Sequence, residues 1–149
     1  MSANRFTFDT NVLFYASDST AGDKHTRALL LTDSAASRDC VLTLQSLGEL
    51  FNAVVKRRVL SAAVAEQIVR AYRDTFTIIP VIQDDLADAM SAQQTHHIPF
   101  WDALLWAAAR RAGCTLFLTE DLQDRRTLGG MTFRNPFKLS PSELDDLLG

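Results

Sequence analysis

The chain has 149 residues, 47% of them hydrophobic and 22% charged, so it is expected to fold as one globular domain with an ordinary core. Its net charge of −3 argues against a protein that coats nucleic acids, because such proteins bind by neutralising phosphates. The charge does not exclude a nucleic-acid substrate that is contacted through a metal ion. Because it shows no apolar run long enough to span a bilayer, no apparent signal peptide and only two cysteines, we expect a cytoplasmic protein that does not engage a membrane.

Short apolar runs typical of buried strands alternate along the chain with stretches of helical periodicity. The predicted strands are, in order, RFTF (5–8), CVLTL (40–44), TIIPVI (77–82), TLFLT (115–119) and MTFRNPF (131–137). The predicted helices lie between them, at about 23–37, 44–57, 62–76, 83–96 and 100–113. Ser61 and Pro99 mark the starts of two of these helices, and Gly113 ends the last one. Pro80 makes the third strand either an edge strand or a bent one.

This alternation predicts an α/β fold, with a parallel sheet covered by helices on both faces. The domain is predicted to occupy residues 1–137, and residues 138–149 an acidic, amphipathic tail that is either a short helix or frayed. Ligands of such sheets bind beyond the carboxyl ends of the strands. Asp9 directly follows the first strand, and Glu120 and Asp121 directly follow the fourth. Two strand ends therefore bring carboxylates to the same edge of the sheet.

Four carboxylates stand at the edges of apolar elements: Asp9, Glu49, Asp102 and Asp121. Taken singly, each also fits a structural role, as a turn residue, a solvated helix face, a helix N-terminus or a charged loop. Asp102 differs in having almost only apolar neighbours, which predicts a half-buried acid that needs a partner. Together in a dry crevice, the four would repel one another unless protons or cations were bound. Oxygen ligands of this kind suit Mg²⁺ or Mn²⁺, and such ions support phosphodiester cleavage.

The segments FDTNVLFYA, LGELFNAVVKR, PFWDALLWAAARRAG and LFLTEDLQD, in this order, resemble the PIN-domain family. More narrowly, they resemble the VapC-like toxin ribonucleases of VapBC-type toxin–antitoxin systems. The resemblance runs from about Phe6 to residue 137, and its most specific pieces are WDALLWAAA and LTEDLQD. It implies a PIN-like, Rossmann-like parallel sheet with helices on both sides and an Mg²⁺- or Mn²⁺-dependent endoribonuclease centre.

Carried over position by position, the resemblance implies metal-binding and catalytic roles for Asp9, Glu49, Asp102 and Asp121. Asp9 and Asp102 would bind the principal ion most directly, and a metal-activated water would attack an RNA phosphodiester bond. The resemblance implies supporting roles for Asn11 and Thr119, while Asp124 is a further candidate in the last loop and Glu120 is expected to point away. Four basic residues are candidates for phosphate contacts, although each also fits a solvated helix end: Lys56, Arg57, Arg110 and Arg111.

The resemblance also implies partners, namely a structured RNA substrate such as a tRNA or rRNA loop, a second copy in a homodimer, and a cognate antitoxin. The antitoxin is expected in a groove that includes residues 64–76 and the preceding helix. The aromatic side chains are expected in the core or a dimer interface rather than stacked on bases. An aspartate-nucleophile phosphatase is disfavoured because position 11 is Asn, and a receiver domain because its paired acids and late lysine are absent. The remaining alternative is a non-catalytic PIN-like RNA- or protein-binding module, against which the retention of all four acids argues.

Overall fold

The computed structural model describes residues 4–149 and contains, within them, six strands and seven α-helices. The strands are β1 (Phe6–Phe8), β2 (Val41–Thr43), β3 (Thr77–Ile79), β4 (Leu116–Leu118), β5 (Thr127–Leu128) and β6 (Met131–Arg134). The helices are α1 (Thr10–Ser17), α2 (Asp23–Ala35), α3 (Leu44–Lys56), α4 (Ala62–Thr75), α5 (Gln83–His96), α6 (Phe100–Arg111) and α7 (Pro141–Leu148). None of these helices combines the length and the hydropathy required to cross a bilayer.

The sheet is mostly parallel, as predicted. Strands β1, β4 and β6 run parallel, and the short β5 runs antiparallel to β6 in the order β1-β4-β6-β5. Strands β2 and β3 form a second parallel pair, which a bridge between Cys40 and Phe6 connects to the edge of β1. Phe8 lies opposite Leu118 in the register of β1 and β4, so both strands end at the same edge. The two strand ends that carry Asp9 and Asp121 are therefore neighbours.

The core lies on both faces of this sheet, which confirms the predicted layers. Because successive side chains of a strand point to opposite faces, β4 contributes to two separate apolar clusters. Leu116 and Leu118 pack into the cluster that contains α1, α2 and α3, whereas Phe117 packs into the cluster that contains α5 and α6. The continuous apolar runs of the predicted strands reflect this burial on both sides.

Helix α1 differs from the sequence-based expectation. Residues 10–17 form helix α1, which was not predicted because a run of apolar residues shows no helical periodicity. The helix starts at Asp9, whose carboxylate accepts a hydrogen bond from the Val12 amide. The tail forms the short helix α7, which is one of the two forms expected for it, and its Leu148 is 1% exposed within the first core cluster. The division of the chain at residue 137 stays a prediction.

An ion pair between a buried carboxylate and a partly exposed arginine connects the start of α5 to the end of α6. The Asp85 side chain is 1% exposed and accepts hydrogen bonds from Arg111 Nε at 2.9 Å and Arg111 Nη2 at 3.0 Å. The same carboxylate accepts a hydrogen bond from the Ile82 amide at 2.9 Å, which caps α5. Arg111 is therefore a structural partner of Asp85.

Replacing Arg111 by leucine is expected to reduce the free energy of unfolding by about 2–3 kcal/mol, because it leaves Asp85 buried without its cation. Urea unfolding of Arg111→Leu measures this loss. Arg110→Leu is the matched control, since Arg110 is exposed and only lies over the Trp106 ring, a contact worth about 0.5–1 kcal/mol. Equal stabilities of the two variants would contradict the structural role of Arg111.

Candidate active site

A small cleft of about 60 Å³ opens at the carboxyl ends of β1 and β4. Its lining residues come from four segments of the chain: Asp9, Thr10, Asn11, Gln45, Glu49, Trp101, Asp102, Leu105 and Asp121. All four predicted acids therefore face one small volume, although they lie far apart in the sequence. The parallel arrangement of the strands explains this convergence for Asp9 and Asp121, and the packing of α3 and α6 against the same edge adds the other two.

Asp9 is the most deeply buried of these acids, with an exposed fraction of 3%. One carboxylate oxygen accepts a hydrogen bond from the Val12 amide at 3.2 Å, and the other accepts one from Thr119 Oγ1 at 2.7 Å. Asp9 is thus both the N-cap of α1 and a side chain of the cleft. The structural and the functional interpretations of this residue are compatible.

Thr119 and Asn11 connect the acids to one another. Thr119 donates its hydroxyl to Asp9, and its Oγ1 accepts a hydrogen bond from the Asp121 amide at 3.1 Å. Asn11 Nδ2 donates to the Asp121 carboxylate at 2.8 Å. The two residues that were expected to support the acids therefore contact them directly.

Glu49 reaches the cleft from an exposed position on α3. Its carboxylate accepts hydrogen bonds from Thr10 Oγ1 at 3.2 Å and from Gln45 Nε2 at 2.6 Å. Neither Thr10 nor Gln45 was a site residue in the sequence-based prediction. Gln45 carried a usable signal, because side chains four residues apart on a helix lie on the same face.

Asp102 lies in the first turn of α6, half-buried as predicted, with Trp101 beside it at the rim of the cleft. Trp106 is 4% exposed and belongs to the core, as expected for an aromatic side chain in an apolar helix. Trp101 does not, since 64% of it is exposed. An exposed tryptophan is therefore adjacent to the acids.

Three of the acids of the cleft, Asp9, Asp102 and Asp121, have raised pKa values. The pKa of Asp9 is raised to about 7, mainly by burial. The hydrogen bond from Thr119 lowers this pKa, and the negative charge of Asp121 raises it. Burial also raises the pKa of Asp102 to about 6, with contributions from Asp121 and Glu49. For Asp121, burial and the neighbouring Glu120 raise the pKa. The cleft therefore lacks positive charge and would be stabilised by a proton or a cation.

The donor set fits a hard divalent cation. Its ligands would be carboxylate oxygens, which Mg²⁺ and Mn²⁺ prefer. Within residues 4–149, no group of three or more His, Cys, Asp or Glu side chains is drawn together closely enough to enclose an ion. An enclosing cage is not required, because Mg²⁺ usually keeps several waters and uses only one or two protein carboxylates.

Two further acids of the last loop lie outside the cleft lining. Asp124 accepts hydrogen bonds from the Asn135 amide at 2.9 Å and from Arg134 Nε at 3.2 Å, which gives it a structural role. Glu120 points away from the cleft, as expected, and forms an ion pair with Lys24 at 2.8 Å.

The basic residues proposed for phosphate contacts also lie away from this cleft. Arg57 lies over the Phe14 ring at 4.8 Å, and Lys56 is at the end of α3. Arg110 and Arg111 are at the opposite end of α6 from Asp102, about 12 Å along the helix axis. Arg111 is, in addition, held by Asp85. None of these four side chains lines the cleft.

The sequence model of the PIN domain matches residues 6–127. The chain belongs to the PIN-domain family. The matched range includes every residue that lines the acidic cleft. A comparison with curated protein sequences found no significant match.

Several solved structures share this PIN-domain fold. VapC20 of Mycobacterium tuberculosis, described as a sarcin–ricin loop cleaving toxin, is 22% identical, with a TM-score of 0.65 over 78% of this chain and 89% of its own. A toxin–antitoxin complex from Klebsiella pneumoniae is also 22% identical, with a TM-score of 0.65 over 93% of this chain and 100% of its own. DNA-bound VapBC from Salmonella typhimurium is 13% identical, with a TM-score of 0.66 over 89% of this chain and 98% of its own. At these identities the similarity shows a common fold.

Proposed function

We propose that this PIN-domain protein is a cytoplasmic, metal-dependent endoribonuclease and the toxin of a type II toxin–antitoxin pair. The observation that carries the proposal is the convergence of Asp9, Glu49, Asp102 and Asp121 on one cleft. The raised pKa values of three of these carboxyls support cation binding, because burial has removed water without supplying a countercharge. A divalent cation would supply this missing countercharge.

In the proposed mechanism, Asp9 and Asp102 would hold the principal Mg²⁺ or Mn²⁺, and Glu49 and Asp121 would complete its site. The bound cation would supply water activation and would offset the charge that develops on the phosphodiester. The chain itself orients the carboxylates. Thr119 fixes Asp9 through its hydroxyl, and Asn11 fixes Asp121 through its amide. Preorganised ligands of this kind reduce the reorganisation needed during the reaction.

A cognate antitoxin is the proposed protein partner, and a homodimer the proposed assembly. One fold relative, from Klebsiella pneumoniae, is described as a toxin–antitoxin complex, and another, from Salmonella typhimurium, as DNA-bound VapBC. A groove between α3 and α4 supports this proposal, and it is lined by Leu44, Leu47, Gly48, Phe51, Glu66, Val69, Arg70 and Arg73. Leu44 and Phe51 are 56% and 37% exposed, so an apolar segment of the antitoxin could cover them.

The exposed position of Trp101 favours a substrate that is an unpaired RNA segment. Its ring is exposed at the rim of the acidic cleft, and bases of single-stranded RNA stack on such rings. We expect Trp101→Ala to weaken binding of a single-stranded oligonucleotide by about 5- to 100-fold, as stacking is worth about 1–3 kcal/mol, while Trp101→Phe keeps most of the affinity. Fluorescence anisotropy with a labelled RNA measures the change. Unchanged affinity in Trp101→Ala would instead assign this side chain to a protein contact.

The test of the proposed function is the cleavage of total cellular RNA by the purified, antitoxin-free protein with Mg²⁺, with Mn²⁺ and with EDTA. Discrete fragments that require a metal are the expected result, and mapping their ends identifies the substrate. No cleavage by the folded protein with either ion would favour the non-catalytic binding module. Cleavage that persists in EDTA would show that the four acids do not act through a cation.

A further inference from the structure

Gln45 connects two elements of the cleft through a single side-chain amide. It lies one helical turn before Glu49 on α3 and lines the same cleft. Its Nε2 donates a hydrogen bond to the Glu49 carboxylate at 2.6 Å and another to the Trp101 carbonyl oxygen at 2.9 Å. Gln45 thereby holds the Glu49 side chain next to the first turn of α6, which carries Asp102.

The orientation of this amide follows from its partners. Both the Glu49 carboxylate and the Trp101 carbonyl are acceptors, so the NH₂ group of Gln45 has to face them. A flipped amide would place three oxygens against one another. Consequently Gln45 Oε1 points away from both partners, and it is one of only two buried side-chain polar atoms within residues 4–149 that have no hydrogen-bond partner.

Oε1 has no donor among the described protein atoms, so Gln45 acts on its surroundings through the two hydrogen bonds of Nε2. These two bonds hold Glu49 against the first turn of α6. This exposed glutamate would otherwise be held by Thr10 alone, at 3.2 Å, and would sample several rotamers.

We propose that Gln45 is a positioning residue of the cation site, which keeps the Glu49 carboxylate turned into the cleft. The proposal rests on the proposed function, since it assigns to Gln45 a role toward the metal. Residues that orient metal ligands typically contribute 10- to 100-fold to metal affinity. Gln45 acts through Glu49 and is not assigned a contact with the reacting phosphate.

The test is a double-mutant cycle on Mn²⁺ binding, measured by isothermal titration calorimetry without RNA. The four proteins are the wild type, Gln45→Met, Glu49→Ala and the double variant. We expect Gln45→Met to weaken Mn²⁺ binding by about tenfold in the wild-type background. The same substitution should cost less than about twofold in the Glu49→Ala background, because the carboxylate that it orients is already gone.

Gln67→Met is the matched control, as it makes the same chemical change at an exposed position of α4 outside the cleft. It should bind Mn²⁺ like the wild type, and thermal melting shows that each variant is folded. Equal affinities of the wild type and Gln45→Met, or an equal cost in both backgrounds, would overturn the role of Gln45 while leaving the proposed function intact. A wild type that binds no Mn²⁺ would overturn the proposed function and this role together.

Discussion

Replacing Asp9 by asparagine is expected to reduce RNA cleavage by more than about 100-fold. Substitutions of residues that only hydrogen-bond to metal ligands already reduce metal affinity or activity by about 10- to 100-fold. The substitution is nearly isosteric. The oxygen of the introduced side-chain amide would still accept the hydrogen bond from the Val12 backbone amide, and its NH₂ group would donate to Thr119 Oγ1. The fold is therefore expected to survive while the charge that binds the cation is lost. Initial rates of cleavage of an identified RNA, with Mg²⁺ or Mn²⁺ in excess, measure the effect.

Asp124→Asn is the matched control for this prediction. Asp124 is also a carboxylate near the end of β4, but its partners are the Asn135 amide and Arg134 rather than the cleft. We expect it to keep most of the cleavage rate per folded molecule. A small effect of Asp9→Asn, or an equally large effect of Asp124→Asn, would contradict the assignment of the cleft as the reaction centre.

The metal-free protein is expected to lose stability as the pH rises from about 5 to 8, and divalent cations should reverse this loss. In the folded state the pKa of Asp9 is about 7 and that of Asp102 is about 6, both above the ordinary value of 3.8. The folded state thus holds protons that the unfolded chain releases near pH 4. Their contribution to stability is complete below about pH 4 and disappears as the pH rises through about 6 and 7. The total change is on the order of a few kcal/mol.

A cation replaces these protons, so its effect should depend on pH. Melting temperatures at about pH 5 and about pH 8, with Mn²⁺ and with EDTA, test the prediction. Mn²⁺ should raise the melting temperature more at the higher pH, where the carboxyls are ionised. In Asp9→Asn the EDTA curve should become flatter, because one of the buried ionising groups has been removed. An identical Mn²⁺ effect at both values would show that metal binding does not compete with these protons.

The two predictions share a physical cause. Burying several carboxylates together makes the empty cleft unfavourable at neutral pH, and the same unfavourable charge gives the cleft its expected affinity for a cation. The melting experiment therefore reports on the site without requiring knowledge of the RNA. If both predictions hold, the cleavage assay and the stability assay will have located the same cation by independent measurements.

The layers of the fold and the positions of most elements could be predicted from local sequence patterns. Strong apolar runs and clear caps, such as the Ser61 cap of α4, depend on local chemistry that a sequence displays directly. The proximity of Asp9 and Asp121 also followed from the sequence, since parallel strands end at one edge. Helix α1 was not predicted, because a helix that is buried on nearly every side shows no periodic alternation of apolar and polar residues.

Which polar side chains contact one another could not be predicted without the folded structure. Helical periodicity places Glu49 opposite the apolar stripe of its own helix. It does not show that the end of β1 and the start of α6 lie beside that face. For the same reason, the sequence did not distinguish Trp101, exposed at the rim, from Trp106, buried one turn later. Nor did it show that Arg111 would be held by Asp85, or that Gln45 would connect Glu49 to the Trp101 carbonyl. Such contacts depend on how elements pack against one another, because spacing along a chain orients a side chain only within its own element.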